Sequence, residues 1–450
     1  MKVVIIGAGE IGYDLASVLS DENHDVTVLD RSKSAIKEVA NSLDVLAIQG
    51  NATSANDLVK AGVDEADIMI SVTSIDEVNM IASMMSKRLG ANMVIARVRS
   101  DELSQDKSPI KPIDLGIDVI IHPELSAAQE IYKLIKSSSA SDLVQLADNK
   151  IQIIGIRLQK SSPIIGKTLI EYAREYSNIT FRVVSIARGG NTIMPKGSMK
   201  LQQGDEIFVV AKTQDIPKIV ETTGRNDHHI SSIMIAGGTQ IGEMLAEMLV
   251  QNAEQDYVIK LIEPDRTEAE RLAGNLQDVM VLNGNPTDPD LLATEGIHET
   301  DAFISVTKDE ESNIISCLMA KHLEVSKTVA LVSKPDYIPL SQTIGLDAAI
   351  NKKSAASDEI HRHVRQGKVL SVTALHGVKA EVIELQADSN SKIVKKPIKN
   401  ISIPDGCIVG GILNNGNVEI ATGDSQVEPN DRVIIFTLPQ IVDKVTKLFN

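Results

Sequence analysis

The sequence has 450 residues, a length that allows two to four domains with sizeable cores. Apolar residues make up 43% and charged residues 24%, as in ordinary globular proteins. Forty-five basic against 61 acidic residues leave a formal charge of −16, which argues against nucleic acid or an anionic membrane surface as the main partner. Over residues 1–136, short β-rich runs at 2–6, 25–29, 44–48, 67–72, 93–98 and 117–121 alternate with helical patterns. Such alternation predicts a parallel sheet wrapped by crossover helices. Ser137 to Ser141 reads as a linker. From 143 to 222 the pattern changes to strands closed by turn signals, such as Arg188–Asn191 and Gln203–Asp205. A polar boundary near Thr222 to Ser232 contains His228 and His229.

Beyond that boundary the chain repeats itself. Gly12 answers to Gly242, Gln49–Thr53 to Asn283–Thr287, and Ile70–Thr73 with Asn79 to Ile304–Thr307 with Asn313, at a nearly constant offset. A period this long describes a duplicated unit, not a solenoid. The change to short strands recurs near 368, with turns at Asn414–Asn417 and Pro429–Asp431. Val183–Ala187 resembles Ile408–Leu413, and Asp205–Val210 resembles Asp431–Phe436. The expected order is four modules, at 1–136, 143–222, 230–366 and 369–450.

The first glycine motif has the context such motifs need. Val3 to Ile6 supply a buried strand, and Gly7, Gly9 and Gly12 open a helix with apolar positions at Ile11, Leu15, Val18 and Leu19. The glycines serve a tight turn, close approach of backbone to a pyrophosphate, and helix–strand packing. The helix start offers unpaired N–H groups and the positive dipole end to phosphates. Asp30 ends the second strand, where a carboxylate accepts from ribose hydroxyls and repels a 2′-phosphate, favouring NAD(H) over NADP(H). Glu10 is a complication, because a carboxylate beside the phosphates costs affinity unless it faces solvent. Arg97 ends the fifth strand and reads either as a phosphate partner or as a surface arginine. Thr73 and Ser74 follow the fourth strand at the crevice. Asp76 and Glu77 read as acids of a helix first turn.

The second motif departs from the first. Aligning Gly12 with Gly242 puts Gly238 on Ala8 and Thr239 on Gly9, so the glycine closest to a pyrophosphate is replaced. Glu263 retains the acidic group of strand two, while Leu331 stands where the first half has Arg97. The second crevice is expected to bind an adenosine nucleotide weakly or not at all. The fold class is α/β, with two Rossmann-like, doubly wound parallel-sheet domains each followed by a small α+β domain.

No general acid or base faces these motifs, and no Walker A, nucleophile elbow or ligand-spaced Cys/His set occurs. His361 and His363 lie two apart on a helix and point to different faces. Cys317 and Cys407 are too few for a disulfide framework or a metal cage and read as small buried hydrophobes. Neither catalytic nor metal residues are expected. No apolar run approaches the roughly 20 residues that cross a bilayer, and Met1 to Gly7 reaches glycine too early for a signal-peptide core, so a cytoplasmic protein is expected. Lys196 and Lys200 read as solvated charges, and no site residues are assigned to the small modules.

Taken together, Gly7–Gly12, Asp30, Gln49–Gly50, Val72–Ser74 with Asp76, Glu77 and Asn79, Ile95–Arg97, and their second copies resemble the peripheral NAD-binding regulators of Trk potassium-uptake systems, the TrkA type with two RCK units per chain. The resemblance covers essentially the whole chain. It implies that Gly7, Ala8, Gly9, Glu10, Ile11, Asp30, Asn51, Thr73, Ser74 and Arg97 contact a dinucleotide. By the same resemblance Gly238, Thr239, Gln240, Ile241 and Glu263 line a second site. It further implies a homotetrameric ring at the inner face of the cell membrane, docked on a TrkH/TrkG-like potassium translocator and regulated by NAD(H), ATP or ADP. An NAD-dependent oxidoreductase with an unidentified small substrate is the alternative, although no residue presents itself to polarise that substrate.

Overall fold

The computed structural model describes residues 1–99, 109–136, 140–147, 149–225, 230–252, 256–334, 337–352, 357, 360, 363, 369–375, 378, 380–414 and 416–449. Ser137–Ser139 of the expected linker, His228, His229, His361 and Asn415 lie outside the described residues.

The first sheet comprises β1 (Lys2–Ile6), β2 (Asp25–Asp30), β3 (Leu46–Gln49), β4 (Ile68–Ser71), β5 (Met93–Arg97) and β6 (Val119–Ile121). All neighbours are parallel, in the order β3-β2-β1-β4-β5-β6. Val3, Val4, Ile5 and Ile6 are all buried, because crossover helices cover both faces of such a sheet. α1 (Glu10–Asp21) buries Ile11, Leu15 and Leu19 of the predicted apolar positions together with Ala16, whereas Val18 is only half-buried. α2 (Lys33–Ser42), α3 (Ala55–Lys60), α4 (Asp76–Leu89) and α5 (Pro123–Lys136) follow β2, β3, β4 and β6. The strand order reverses between β1 and β4, and at such a switch point the carboxyl ends of the strands leave a crevice.

The first small module is a five-stranded antiparallel sheet of β7 (Asp142–Leu146), β8 (Ile151–Arg157), β9 (Phe181–Arg188), β10 (Asn191–Ile193) and β11 (Glu206–Lys212). The strand order is β10-β9-β11-β8-β7. The second half then repeats both architectures. β12 (Ser232–Ala236), β13 (Val258–Glu263), β14 (Val279–Asn283), β15 (Ala302–Ser305), β16 (Lys327–Val332) and β17 (Ala348–Asn351) form a parallel sheet in the order β14-β13-β12-β15-β16-β17. Its helices include α6 (Gln240–Val250), α7 (Arg266–Asn275) and α8 (Glu310–His322). β18 (Val369–Ala374), β19 (Glu381–Gln386), β20 (Cys407–Asn414), β21 (Asn417–Ile420) and β22 (Arg432–Thr437) pair as β18-β19-β22-β20-β21, the strand order of the first small sheet over again. The two small sheets share one core, in which Ile151, Val184 and Phe208 pack with Val382, Ile434 and Phe436.

The chain divides into two compact units, 1–127 with 352–364, and 128–351 with 365–450. The segment 352–364 thus groups with the first Rossmann-like sheet although it follows β17 in sequence. Ile360 is fully buried in the core that contains Val3, Ile5, Leu15 and Val28. Removing most of a buried isoleucine opens a cavity that surrounding atoms fill only in part. Ile360→Ala is therefore expected to destabilise the first domain by about 2–5 kcal/mol, read as a lower urea midpoint in circular dichroism. An unchanged midpoint would contradict this placement of the segment.

Candidate functional site

The crevice of the first domain is built around three glycines with different constraints. Gly7 has φ +109°, a left-handed value, and a Cβ there would lie 3.0 Å from the Thr73 amide nitrogen. A Cβ at Gly12 would lie 1.8 Å from the Gly7 carbonyl oxygen, so only glycine lets α1 sit this close to the turn. Gly9 differs from both. It is the N-cap of α1 with no side chain over the first-turn amides, and a Cβ there would meet nothing within 4 Å. The space above Gly9 is the cradle a phosphate group needs. Glu10 is exposed as the first residue of α1, whereas the Ile11 side chain is buried, leaving only its backbone to face a ligand.

Asp30 closes β2 with both carboxylate oxygens directed by backbone. Oδ2 accepts from Ala8 N–H and Oδ1 from Ser32 N–H, each at 2.7 Å. These two bonds hold the carboxylate at the crevice while leaving it capacity to accept from hydroxyls. Asn51 Oδ1 accepts from the amide and hydroxyl of Thr53 at 3.0 Å each, an Asx turn that shapes the loop after β3.

Thr73 and Ser74 are positioned by a residue whose role the spacing did not reveal. Asn79 is fully buried on α4, and its Oδ1 accepts from Ser71 Oγ, Thr73 N and Thr73 Oγ1 at 3.0, 2.9 and 2.7 Å. Its Nδ2 donates to the carbonyls of Thr73 and Arg97 at 3.0 and 2.9 Å, tying β4 to β5. Asp76 stands in the first turn of α4, as expected, and accepts from Arg99 N and Nε. Arg99 in turn donates to the Ser74 carbonyl at 2.7 Å. Arg97 is held by Glu124, with Nη2 to Oε1 at 3.2 Å and only 12% of its side chain exposed. Arg97 is thus an ion-paired, largely buried strand-end arginine, not a solvated one.

The second crevice keeps the glycine turn, the acidic strand end and the buried asparagine of the first, and differs at its helix start. Gly237 has φ +111° and a Cβ at Gly242 would lie 2.1 Å from the Gly237 carbonyl. Glu263 accepts from Gly238 N–H at 2.8 Å and Asp265 N–H at 2.9 Å, the counterpart of the Asp30 arrangement. Asn313 repeats the Asn79 network with Ser305, Thr307 and the Leu331 carbonyl. Thr239 caps α6 itself, its hydroxyl donating to the Val306 carbonyl at 2.8 Å and accepting from Gly242 N–H at 3.4 Å. The replacement of the middle glycine does not close the crevice. A cavity of about 760 Å³ remains, lined by Gly238, Thr239, Gln240, Glu263, Thr307 and Lys308 among others. Ile241 is buried and contributes only backbone, like Ile11.

Cys317 is buried and its thiol is pushed well up by desolvation; burial also raises Cys407, to about 12. Among the described residues no group of His, Cys, Asp or Glu is placed to hold a metal, and no helix is long and apolar enough to cross a membrane.

The sequence matches the TrkA-N domain over residues 3–123 and 233–352, and the TrkA-C domain over 153–224 and 382–450. It is 32% identical over 455 residues to the Trk system potassium uptake protein TrkA of Vibrio alginolyticus, covering 100% of this chain and 98% of that one. Identity is 33% over 456 residues to the corresponding Haemophilus influenzae protein, again covering 100% and 98%. A TrkA homolog of Archaeoglobus fulgidus is 32% identical over 449 residues, covering all of both chains. Among solved structures, the GsuK channel bound to NAD shares the fold at a TM-score of 0.61 and 16% identity, covering 100% of this chain and 78% of that one. The GsuK RCK domain matches at 0.61 and 17%, covering 99% and 94%. With each domain type present twice and relatives matched end to end, the chain belongs to the TrkA family of Trk potassium-uptake proteins.

Proposed function

We propose that the protein is the peripheral, nucleotide-sensing regulatory subunit of a Trk-type potassium transporter and carries out no catalysis of its own. The observation that supports this most is the first crevice. An uncovered helix start at Gly9 lies beside a carboxylate that two backbone amides aim, in a chain of TrkA type. These residues fit a dinucleotide. The amides at Gly9 to Ile11 would receive the pyrophosphate, Asp30 the adenosine ribose, and Gly7, Ala8, Glu10, Asn51, Thr73, Ser74 and Arg97 would complete the site for NAD(H), with ATP or ADP as further ligands. Gly238, Thr239, Gln240, Ile241 and Glu263 would form a second, weaker site, since Thr239 already uses the helix start. GsuK structures bound to NAD and to ADP support this ligand class. The modules at 1–136, 143–222, 230–366 and 369–450 would serve as the moving parts.

A ligand shifts a conformational equilibrium only through its differential affinity for the two states. Moving it from 1:99 to 99:1 takes about 10⁴-fold, roughly 5.5 kcal/mol, which several coupled sites supply more readily than one. A homotetrameric ring provides such coupling. Ile81 and Met84 are exposed on α4, and Ile315, the counterpart of Ile81, is 52% exposed on α8, apolar positions suited to assembly. The partner is a membrane potassium-translocating subunit of TrkH/TrkG type, which places the protein at the cytoplasmic face of the membrane. Potassium flux through that subunit in proteoliposomes tests the reading. NADH and ATP added with the full chain are expected to change flux, and Asp30→Ala to weaken that response at least tenfold in ligand concentration. Flux that ignores both the chain and the nucleotides would overturn the proposal.

A further inference from the structure

Arg97 ends β5 at the edge of the first crevice, where Asn79 ties its carbonyl to that of Thr73. Its guanidinium is only partly satisfied. Nη2 reaches Glu124 Oε1 at 3.2 Å, while Arg97 Nε and Glu124 Oε2 are both buried without a hydrogen-bond partner. The two-pronged fork that makes arginine–carboxylate pairs strong is therefore not formed. A second cation approaches the same oxygen more closely, with Lys352 Nζ 2.7 Å from Glu124 Oε1. Lys352 opens the 352–364 segment and directly follows Asn351, the last residue of β17, in the chain. Burial works to raise the Glu124 carboxyl, but Lys352 and then Arg97 outweigh it and hold the group below its ordinary range. His122, which also faces this carboxyl, keeps Nδ1 3.8 Å from Oε2 and accepts there from Leu125 N–H.

We propose that Lys352 is a positioning residue of the first crevice: by holding Glu124, it frees Arg97 to turn to a ligand phosphate. The proposal rests on the nucleotide-binding reading above. A buried carboxylate gives up its only cation at high cost, because an unpaired charge stays behind. With Lys352 in place, Glu124 keeps its closer partner when Arg97 leaves. The second half of the sequence thus supplies a residue that sets the affinity of the first half's site.

Calorimetric titration of the full chain with NADH and with ATP tests this, using Arg97→Ala to define the first-site component of binding. Lys352→Met is expected to weaken that component about tenfold, because Arg97 becomes the sole counter-ion of Glu124. Lys352→Arg restores it. Glu124→Gln, nearly the same shape without the charge, tightens binding, and adding Lys352→Met to it changes nothing further. Binding weakened by Glu124→Gln, or weakened by Lys352→Met in that background too, would overturn the proposal in favour of a merely structural ion pair. Sensitivity to Arg97→Ala with none to Lys352→Met would overturn the proposal alone. Insensitivity to Arg97→Ala would overturn it together with the assignment of Arg97 to the nucleotide. Should Lys352→Met fail to fold, the direction of the Glu124→Gln effect decides.

Discussion

Gly9→Asp is expected to leave the first domain folded while weakening nucleotide binding there by at least roughly 100-fold, about 2.8 kcal/mol. The backbone at Gly9 is extended, with φ −73° and ψ −173°, a conformation any residue adopts, and the added Cβ enters open space. Aspartate is also a favoured N-cap, so its carboxylate would accept from the first-turn amides of α1 and slightly raise stability. Those amides are the ones proposed to receive the pyrophosphate, which the new charge would repel. Thermal melting paired with calorimetry separates the two effects. Gly12→Ala provides the contrast, since its Cβ would fall 1.8 Å from the Gly7 carbonyl and force α1 off the sheet. Loss of fold in Gly9→Asp, or retained affinity, would contradict the role given to this position. The second half already carries a mild version of the same change, because Thr239 spends its hydroxyl on Gly242 N–H and the Val306 carbonyl.

Asn79→Ala is expected to cost on the order of 3 kcal/mol of stability in the first domain and to loosen the crevice. The substitution strands Ser71 Oγ, the Thr73 amide, and the carbonyls of Thr73 and Arg97, and buried polar groups left unpaired are what make such losses large. Asn79→Asp does not rescue it, since a carboxylate accepts where the amide donated to two carbonyls. Chemical denaturation measures the first effect, and nucleotide affinity at a concentration where the variant stays folded measures the second. Wild-type stability in Asn79→Ala would contradict the view that one side chain sets the relation between the ends of β4 and β5.

The elements of the fold were readable because their signals are local. Four buried apolar residues before Gly7 fix β1, and the glycine spacing fixes the entry to α1. Duplication did the rest, since Asn79 and Asn313 recur in register and turn out to make the same five hydrogen bonds. Strand ends shifted by a residue or two: 44–48 is observed as Leu46–Gln49, and 93–98 as Met93–Arg97. What stayed hidden is non-local. Glu124 lies 27 residues beyond Arg97, and Lys352 is more than 200 residues further on, with no motif linking them. The placement of 352–364 was equally illegible. Residues 122–131 and 351–360 occupy equivalent positions of the repeat, with Ala127 and Ile131 answering to Ala356 and Ile360, so the sequence alone does not say which sheet each covers. The spacing marks Thr239 as a departure at the second crevice but not where its side chain goes, which is onto backbone at the edge of a cavity of about 760 Å³.

A crystal structure of the full chain grown with excess NADH tests the proposed nucleotide site most directly. Pyrophosphate oxygens are expected on the amides at Gly9 to Ile11, adenosine ribose hydroxyls on Asp30, and weaker density or none beside Thr239. Well-ordered crystals in which the first crevice holds no coenzyme, with Asp30 still bonded only to Ala8 and Ser32, would contradict it.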